Sequence, residues 1–169
     1  LALIILATGV MMTAQAQNAP FGDKVSSSLT YYNRAAPGIA TGGLIQGNGV
    51  AEAKALGFKV IVDLRGPAEG LEPERAAAAE AGITYINIPV TTTTPTDAQI
   101  AEFARVVENA SNQPVLVHCH TSNRVGAMWA LYHASKGVPG EIAIEEGRVS
   151  GLASREGAVR AKLGLPAAK

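Results

Sequence analysis

The sequence predicts an α/β protein with a mainly parallel central sheet and helices on both faces. Short apolar segments alternate with amphipathic or alanine-rich segments of about ten residues, which is the pattern of parallel strands joined by crossover helices. Glycine follows three of the helical segments, at Gly57, Gly82 and Gly137, where a helix commonly ends. With 169 residues, the chain is long enough for one domain with a sizeable core.

Four apolar segments are predicted as strands. The two strongest, at 59–64 (KVIVDL) and 115–118 (VLVH), are almost continuously apolar, as strands covered on both faces are. The segment 83–90 (ITYINIPV) is a third strand, and 39–45 (IATGGLI) is a weaker one. Ligands of such sheets bind beyond the carboxyl ends of the strands. Polar residues that follow these strands, Cys119 among them, are therefore expected to meet at this edge of the sheet, around one opening that we call the mouth.

Six segments are predicted as helices. The segment 97–109 is amphipathic, with Ile100, Phe103, Ala104 and Val107 along one side. The segment that follows the 59–64 strand is rich in alanine, a strong helix former. The predicted helices are 47–56, 72–81, 97–109, 125–136, 140–147 and 155–163.

The N-terminal segment has the pattern of a secretory signal peptide. Residues 1–12 form an uncharged, mostly apolar run, and Ala14-Gln15-Ala16 is a small-x-small cleavage site. The run is too short for a membrane span of ~20 apolar residues, although an uncleaved N-terminal anchor is the alternative. We therefore predict a signal peptide at 1–16 and a single domain at 17–169. The expected location is periplasmic or secreted, with no membrane segment after cleavage.

Charge and cysteine content exclude some classes of function. Lysine plus arginine and aspartate plus glutamate number 14 each, so the formal net charge is zero. Without a basic stripe to neutralise phosphates, a nucleic-acid partner is not expected. The chain has one cysteine, which cannot form an internal disulfide. That thiol is therefore either reactive or buried and inert.

Cys119 lies where a nucleophile would be placed. It follows an apolar strand, and Arg124 opens the next helix after a short polar turn. Such a turn points backbone N–H groups into a concavity at the positive end of a helix dipole, which favours a bound anion and a thiolate. The alternative is a buried cysteine at the end of a core strand.

These residues allow nucleophilic attack on a phosphate ester. Cys119 would attack phosphorus, and the Arg124 guanidinium would donate two parallel hydrogen bonds to phosphate oxygens. The substrate-binding cup would then consist of the loop His120, Thr121, Ser122 and Asn123 together with Arg124. The resulting cysteinyl-phosphate would be hydrolysed by water. No metal or cofactor is expected, since adjacent histidines and a cysteine rarely all face one ion.

His118-Cys119 followed by Arg124 resembles the signature of the cysteine-dependent protein tyrosine phosphatase superfamily. The wider chain, from about 31 to 163, resembles its bacterial branch called beta-lactamase hydrolase-like, phosphatase-like. The further matching motifs are Tyr32-Asn33-Arg34, Ala40-Thr41-Gly42, Asp63-Leu64-Arg65, Ile88-Pro89-Val90 and Asn123-Arg124-Val125-Gly126-Ala127. The resemblance implies a tyrosine-phosphatase-like fold and hydrolysis of tyrosine-type or aryl phosphomonoesters. The substrate would be a phosphorylated small molecule or a phosphoprotein, and His118 would order the loop.

Three departures from the superfamily pattern keep other functions open. The loop has four residues between Cys119 and Arg124, whereas the superfamily usually has five. Ser122 stands where glycine is common, which predicts strain or a different backbone path. Val125 stands where a serine or threonine often donates to the departing thiolate. The short loop also resembles that of rhodanese-type sulfurtransferases, and a catalytically weak anion-binding or interaction domain is a third hypothesis.

Two carboxylates are candidates for the general acid that protonates the leaving oxygen. Asp97 follows the threonine run at 91–94, but it also fits a helix start with Thr94 as N-cap. Asp63 ends a strand near the mouth, where it could instead order its own loop with Arg65.

Overall fold

The computed structural model describes residues 24–168. The strands are β1 (Asn33–Ala36), β2 (Ile39–Gly42), β3 (Val60–Asp63), β4 (Thr84–Asn87) and β5 (Val115–His118). The helices are α1 (Gly49–Ala55), α2 (Glu72–Glu80), α3 (Asp97–Val107), α4 (Asn123–Ser135), α5 (Gly140–Val149) and α6 (Glu156–Lys162), with a short 3-10 turn at Pro67–Glu69. The predicted signal peptide at 1–16 lies outside the described residues.

The five strands form one sheet in the order β1-β2-β5-β3-β4. The pairs β2–β5, β5–β3 and β3–β4 are parallel, and β1 is an antiparallel edge strand on β2. The mainly parallel sheet is therefore confirmed. The edge strand β1 was missed, because its four residues are half-buried and carry no strand-like alternation.

Both faces of the sheet are covered by helices, as predicted. In β3, Val60 and Val62 pack in the core that contains residues of α3 and α4, whereas Ile61 packs in the core on the opposite face. That second core contains Val50 of α1 and Ala78 of α2. The alternation follows from the two-residue period of a strand and explains why the central strands are continuously apolar.

The helix boundaries agree with the prediction to within two residues, but the cap of α3 does not. Thr96, rather than Thr94, is the N-cap residue, and its hydroxyl accepts a hydrogen bond from the Gln99 amide. The Gln99 side chain accepts in return from the Thr96 amide, which completes a capping box. The predicted Thr94 cap is therefore wrong, and Asp97 is the first residue of the helix rather than the third.

No helix within residues 24–168 is long and apolar enough to cross a membrane.

Candidate active site

The register of the sheet aligns the strand ends that carry the predicted site. His118 of β5 pairs with Gly42 of β2 on one side and with Asp63 of β3 on the other. Cys119 follows directly, and its amide donates to the Gly42 carbonyl oxygen at 3.3 Å. The Cys119 loop therefore begins at the carboxyl edge of the parallel strands, as expected for a ligand mouth.

Cys119 and Arg124 face each other within the loop. Cys119 is 1% exposed, and the Arg124 side chain is 12% exposed. The pKa of Arg124 is raised, first by its hydrogen bonds to Glu69 and further by the nearby Cys119 thiol. The structure thus brings together Cys119, the predicted nucleophile, and Arg124, the predicted anion-binding residue.

Ser122 takes the left-handed backbone conformation that its position demands. Its φ is 62°, in the region that favours glycine, so a side chain is carried there at a conformational cost. The hydroxyl is buried and donates to the Ser150 carbonyl oxygen at 2.9 Å. The expected unusual path of the loop is present, and the Ser122 side chain points into the protein.

Asn123 also uses its side chain to hold neighbouring structure. Its Oδ1 accepts from the Ala153 amide at 2.9 Å, and its Nδ2 donates to the Ser154 hydroxyl at 2.7 Å. These bonds fasten the turn between α5 and α6 to the Cys119 loop. His120 and Thr121 are the loop residues whose side chains are exposed at the mouth.

Glu69 is a site residue that the sequence reasoning missed. Its carboxylate accepts two hydrogen bonds from Arg124, at 2.5 Å from Nη1 and 2.6 Å from Nη2. It also accepts from the Gly66 amide at 2.7 Å. The hydrogen bonds from Arg124 lower the pKa of Glu69 to about 2. The available signal was an acidic residue between two glycines, just after a strand that ends at the mouth.

Arg155 is a second missed residue, and it reaches the mouth from the α5–α6 turn. Its Nη1 donates to the carbonyl oxygens of Thr92 and Thr93, at 2.7 Å and 2.5 Å. Burial lowers the pKa of Arg155, and the neighbouring Arg124 lowers it further, while Cys119 acts in the opposite direction. No local pattern marks this arginine, because only the folding of the α5–α6 turn onto the Cys119 loop places it there.

Asp63 belongs to a buried polar network behind the loop. Its carboxylate accepts from the Arg65 guanidinium and from the Tyr85 hydroxyl. Burial by itself would raise the pKa of Asp63, but the hydrogen bonds from Arg65 and Tyr85 and the electrostatic effect of His118 lower it. The carboxylate therefore stays ionised. It also accepts a hydrogen bond from the Arg65 amide, which fits the alternative that Asp63 orders its own loop with Arg65.

His118 lies in the same network. Its Nε2 is 2.7 Å from Glu74 Oε1, which is ion-pair distance, although the angles there do not make a hydrogen bond. Within residues 24–168, the group of three side chains close enough to hold a metal ion is Asp63, Glu74 and His118. The Arg65 guanidinium already bonds both carboxylates, so a cation is present in this cluster without a metal.

Asp97 lies on the surface, whereas Asp63 is buried. Its side chain is 92% exposed, and its carboxylate pairs with Lys162 of α6 at 2.7 Å. It lines a surface depression with Lys162 and the threonines 92–94. Its role as the acid stays a prediction.

The family described as "DSP-PTPase phosphatase fused to NAD+ Kinase" matches residues 23–159. The chain belongs to this family. A curated relative, the beta-lactamase hydrolase-like protein of Xylella fastidiosa, is 36% identical over 80 residues, which cover 44% of this chain and 18% of the relative. The chain thus spans a small part of that relative. The resemblance drawn from the sequence motifs is confirmed.

Solved phosphatase structures share the fold. TpbA of P. aeruginosa, as a Cys→Ser variant in complex with phosphotyrosine, aligns with a TM-score of 0.65 and 23% identity, covering 86% of this chain and 91% of TpbA. The core catalytic domain of the PP-IP phosphatase SIW14 of S. cerevisiae aligns with a TM-score of 0.65 and 16% identity, covering 78% and 85% of the two chains. The tyrosine-phosphatase-like fold is therefore confirmed.

Proposed function

We propose that this protein hydrolyses phosphomonoesters through a cysteinyl-phosphate on Cys119. The observation that carries the proposal is the pairing of a buried thiol with an arginine whose guanidinium is held in place by Glu69. Membership of a phosphatase family supports it.

Arg124 retains donors for a substrate while Glu69 holds it. A guanidinium has five N–H groups, and Glu69 takes one from each terminal nitrogen. The remaining donors, together with the amides of the loop, are available to the equatorial oxygens of a phosphate. Glu69 therefore orients the Arg124 guanidinium and leaves it donors with which to bind phosphate.

The reaction proceeds in two displacements. The Cys119 thiolate forms an S–P bond as the ester P–O bond breaks, and the leaving oxygen takes up a proton. Water then attacks the cysteinyl-phosphate, which releases inorganic phosphate and restores the thiolate.

The carboxylates near the mouth favour substrates with good leaving groups. Asp63 and Glu69 both have lowered pKa values and do not hold a proton at neutral pH. Asp97 is ion-paired with Lys162 on the surface. Aryl phosphates, whose leaving oxygens need little protonation, fit this site best. The phosphotyrosine bound by TpbA supports that substrate type, carried by a small molecule or a phosphoprotein.

The test is hydrolysis of phenyl phosphate by the purified protein, with mass spectrometry of acid-quenched samples. Wild type is expected to release phosphate and to show a phosphoryl group on the peptide that contains Cys119. Cys119→Ser should lose both signals and remain folded. Turnover that survives this substitution would refute the mechanism. A thiosulfate:cyanide assay on the same sample tests the sulfurtransferase alternative, which the family does not favour.

We also propose that the protein is exported. The support is the apolar run at 1–12 and the cleavage pattern at Ala14-Gln15-Ala16. Cell fractionation and N-terminal sequencing should find a periplasmic or secreted form that begins near Gln17. A protein retained in the cytoplasm with this segment intact would refute it.

A further inference from the structure

Arg155 lies at the mouth but has no role in the proposed reaction. The turn that carries it is fastened to the Cys119 loop by Asn123, and Ser122 fastens the preceding Ser150. From there, the Arg155 side chain crosses to the carbonyl oxygens of Thr92 and Thr93. The Arg155 side chain thus begins on a turn that is hydrogen-bonded to the Cys119 loop, and its guanidinium is hydrogen-bonded to the threonine loop.

No carboxylate of residues 24–168 forms an ion pair with Arg155. Among residues 24–168, Arg155 makes hydrogen bonds only to the two threonine carbonyl oxygens, and it is part of no ion pair. Both bonds come from Nη1, so Nε and Nη2 have no acceptor within this part of the chain. Glu69, the carboxylate that acts electrostatically on Arg155, makes its hydrogen bonds to Arg124 and to the Gly66 amide instead.

Arg124 and Arg155 therefore both lie near the Cys119 thiol, and their positive charges repel each other. Burial and Arg124 lower the pKa of Arg155 by more than Cys119 and Glu69 raise it, so its charged form is disfavoured there. Among residues 24–168, Glu69 hydrogen-bonds Arg124 directly and acts on Arg155 only without direct contact, so Arg155 keeps donors that no acceptor in this part of the chain fills. An anion that bridges this gap would be bound by charge-assisted hydrogen bonds.

We propose that Arg155 binds a second anionic group of the substrate, a carboxylate or a second phosphate, located next to the phosphate that Cys119 attacks. This assignment rests on the proposed phosphatase function and names its substrate class: aryl or related phosphates whose leaving group is itself anionic.

The experiment compares two substrates that differ in one charge. Meta-carboxyphenyl phosphate carries the second anion, and meta-carbamoylphenyl phosphate is its neutral analogue of similar shape. The ratio of their kcat/KM values is measured for wild type, Arg155→Met and Arg155→Lys. Arg105→Gln, which removes a positive charge from the exposed face of α3, is the matched control.

Wild type and the Arg105→Gln control should prefer the charged substrate, and Arg155→Met should lower that preference about five- to tenfold, since one charge-assisted pair is lost. Arg155→Lys should restore part of it. If Arg155→Met slows both substrates equally, Arg155 merely holds the threonine loop and the proposal is overturned. A fall of the same size in the Arg105→Gln control would assign the preference to overall charge and also overturn it.

A binding measurement separates this proposal from the proposed function. Calorimetric titration with inorganic phosphate and with pyrophosphate needs no turnover. If Cys119 catalyses nothing, the phosphatase proposal fails. Tighter binding of pyrophosphate, lost in Arg155→Met by a similar five- to tenfold factor, would still support a second anion site. Equal affinities for the two ions in wild type would reject it.

Discussion

At the scale of single residues, the site is governed by which partner each charged group has. Within residues 24–168, Arg124 is held by Glu69, whereas Arg155 bonds only carbonyl oxygens. Ser122 and Asn123 were predicted to bind substrate, yet their side chains bond to the segment 150–154. These side-chain bonds shape the loop, and substrate binding by the two residues, through their backbone amides, stays a prediction.

The Glu69–Arg124 pair predicts a pH dependence of stability. The pKa of Glu69 is about 2 in the folded protein, below its ordinary value of 4.5. Between these two values the unfolded chain binds more protons, so stability rises with pH. The contribution of Glu69 should be fully present above about pH 4.5 and lost as the pH falls towards 2.

Denaturant unfolding of wild type and Glu69→Gln across this pH range checks the prediction. The difference in unfolding free energy should be constant near neutral pH and should shrink on acidification. Glu80→Gln, at the exposed C-terminal end of α2, controls for the loss of a surface charge. A difference that does not change with pH would contradict the assignment.

At the scale of elements, the first turn of α3 shows how a threonine-rich segment can mislead. Four threonines and Thr96 all precede the helix, and each is an acceptable cap by residue type. The choice depends on the reciprocal bond with Gln99, whose side chain also donates to the Pro89 carbonyl oxygen. Gln99 thereby links the cap to the end of the preceding strand segment.

Replacing the cap should therefore cost stability at one threonine and not at the other. Thr96→Ala is expected to lower the unfolding free energy by about 1 kcal/mol, the usual effect of removing an N-cap. Thr94→Ala should change it by less than about 0.5 kcal/mol. Thermal unfolding of the two variants decides the matter, and equal losses would contradict the assigned cap.

The contact between α4 and α5 depends on the absence of a side chain at Gly126. A Cβ atom at this position would lie 2.1 Å from the Leu152 amide nitrogen and 2.6 Å from the Gly147 carbonyl oxygen. Both are backbone atoms and cannot rotate away. The glycine of the Asn-Arg-Val-Gly-Ala motif is therefore explained by close helix packing.

Gly126→Ala is expected to destabilise the fold by about 1–3 kcal/mol or more through overpacking. Gly157→Ala in α6, where a Cβ atom meets no other atom of residues 24–168 within 4 Å, is the matched control. That change should be neutral or stabilising by about 0.5–1 kcal/mol, because alanine favours a helix. Similar unfolding midpoints for the two variants would show that α5 can move away freely.

At the scale of the whole molecule, a buried ionic network joins the central strands to α2 beneath the mouth. Arg65 is its centre, with bonds to Asp63 at the end of β3 and to Glu74 of α2. Tyr85 of β4 and His118 of β5 complete it. These groups come from elements far apart in the sequence, so the network forms only when the sheet and α2 assemble.

Arg65→Met should leave two buried carboxylates without their cation and destabilise the protein by about 3–5 kcal/mol. Arg75→Met removes an arginine from the exposed side of α2, where it pairs with Glu72, and should cost at most about 1 kcal/mol. Denaturant unfolding of both variants compares the costs. A loss at Arg65 no larger than at Arg75 would mean that the buried carboxylates find other partners.

The sequence by itself determined the layered α/β architecture, the central strand at 115–118 and the Cys119–Arg124 mouth. Apolar runs, helix-ending glycines and a thiol next to a helix start are local patterns, and local patterns can be read along a chain. Only the tertiary structure decided that Glu69 holds Arg124, that Arg155 reaches the threonine loop, and that Asp63 is committed to Arg65. Charged groups select partners by proximity in space, which residue spacing does not reveal.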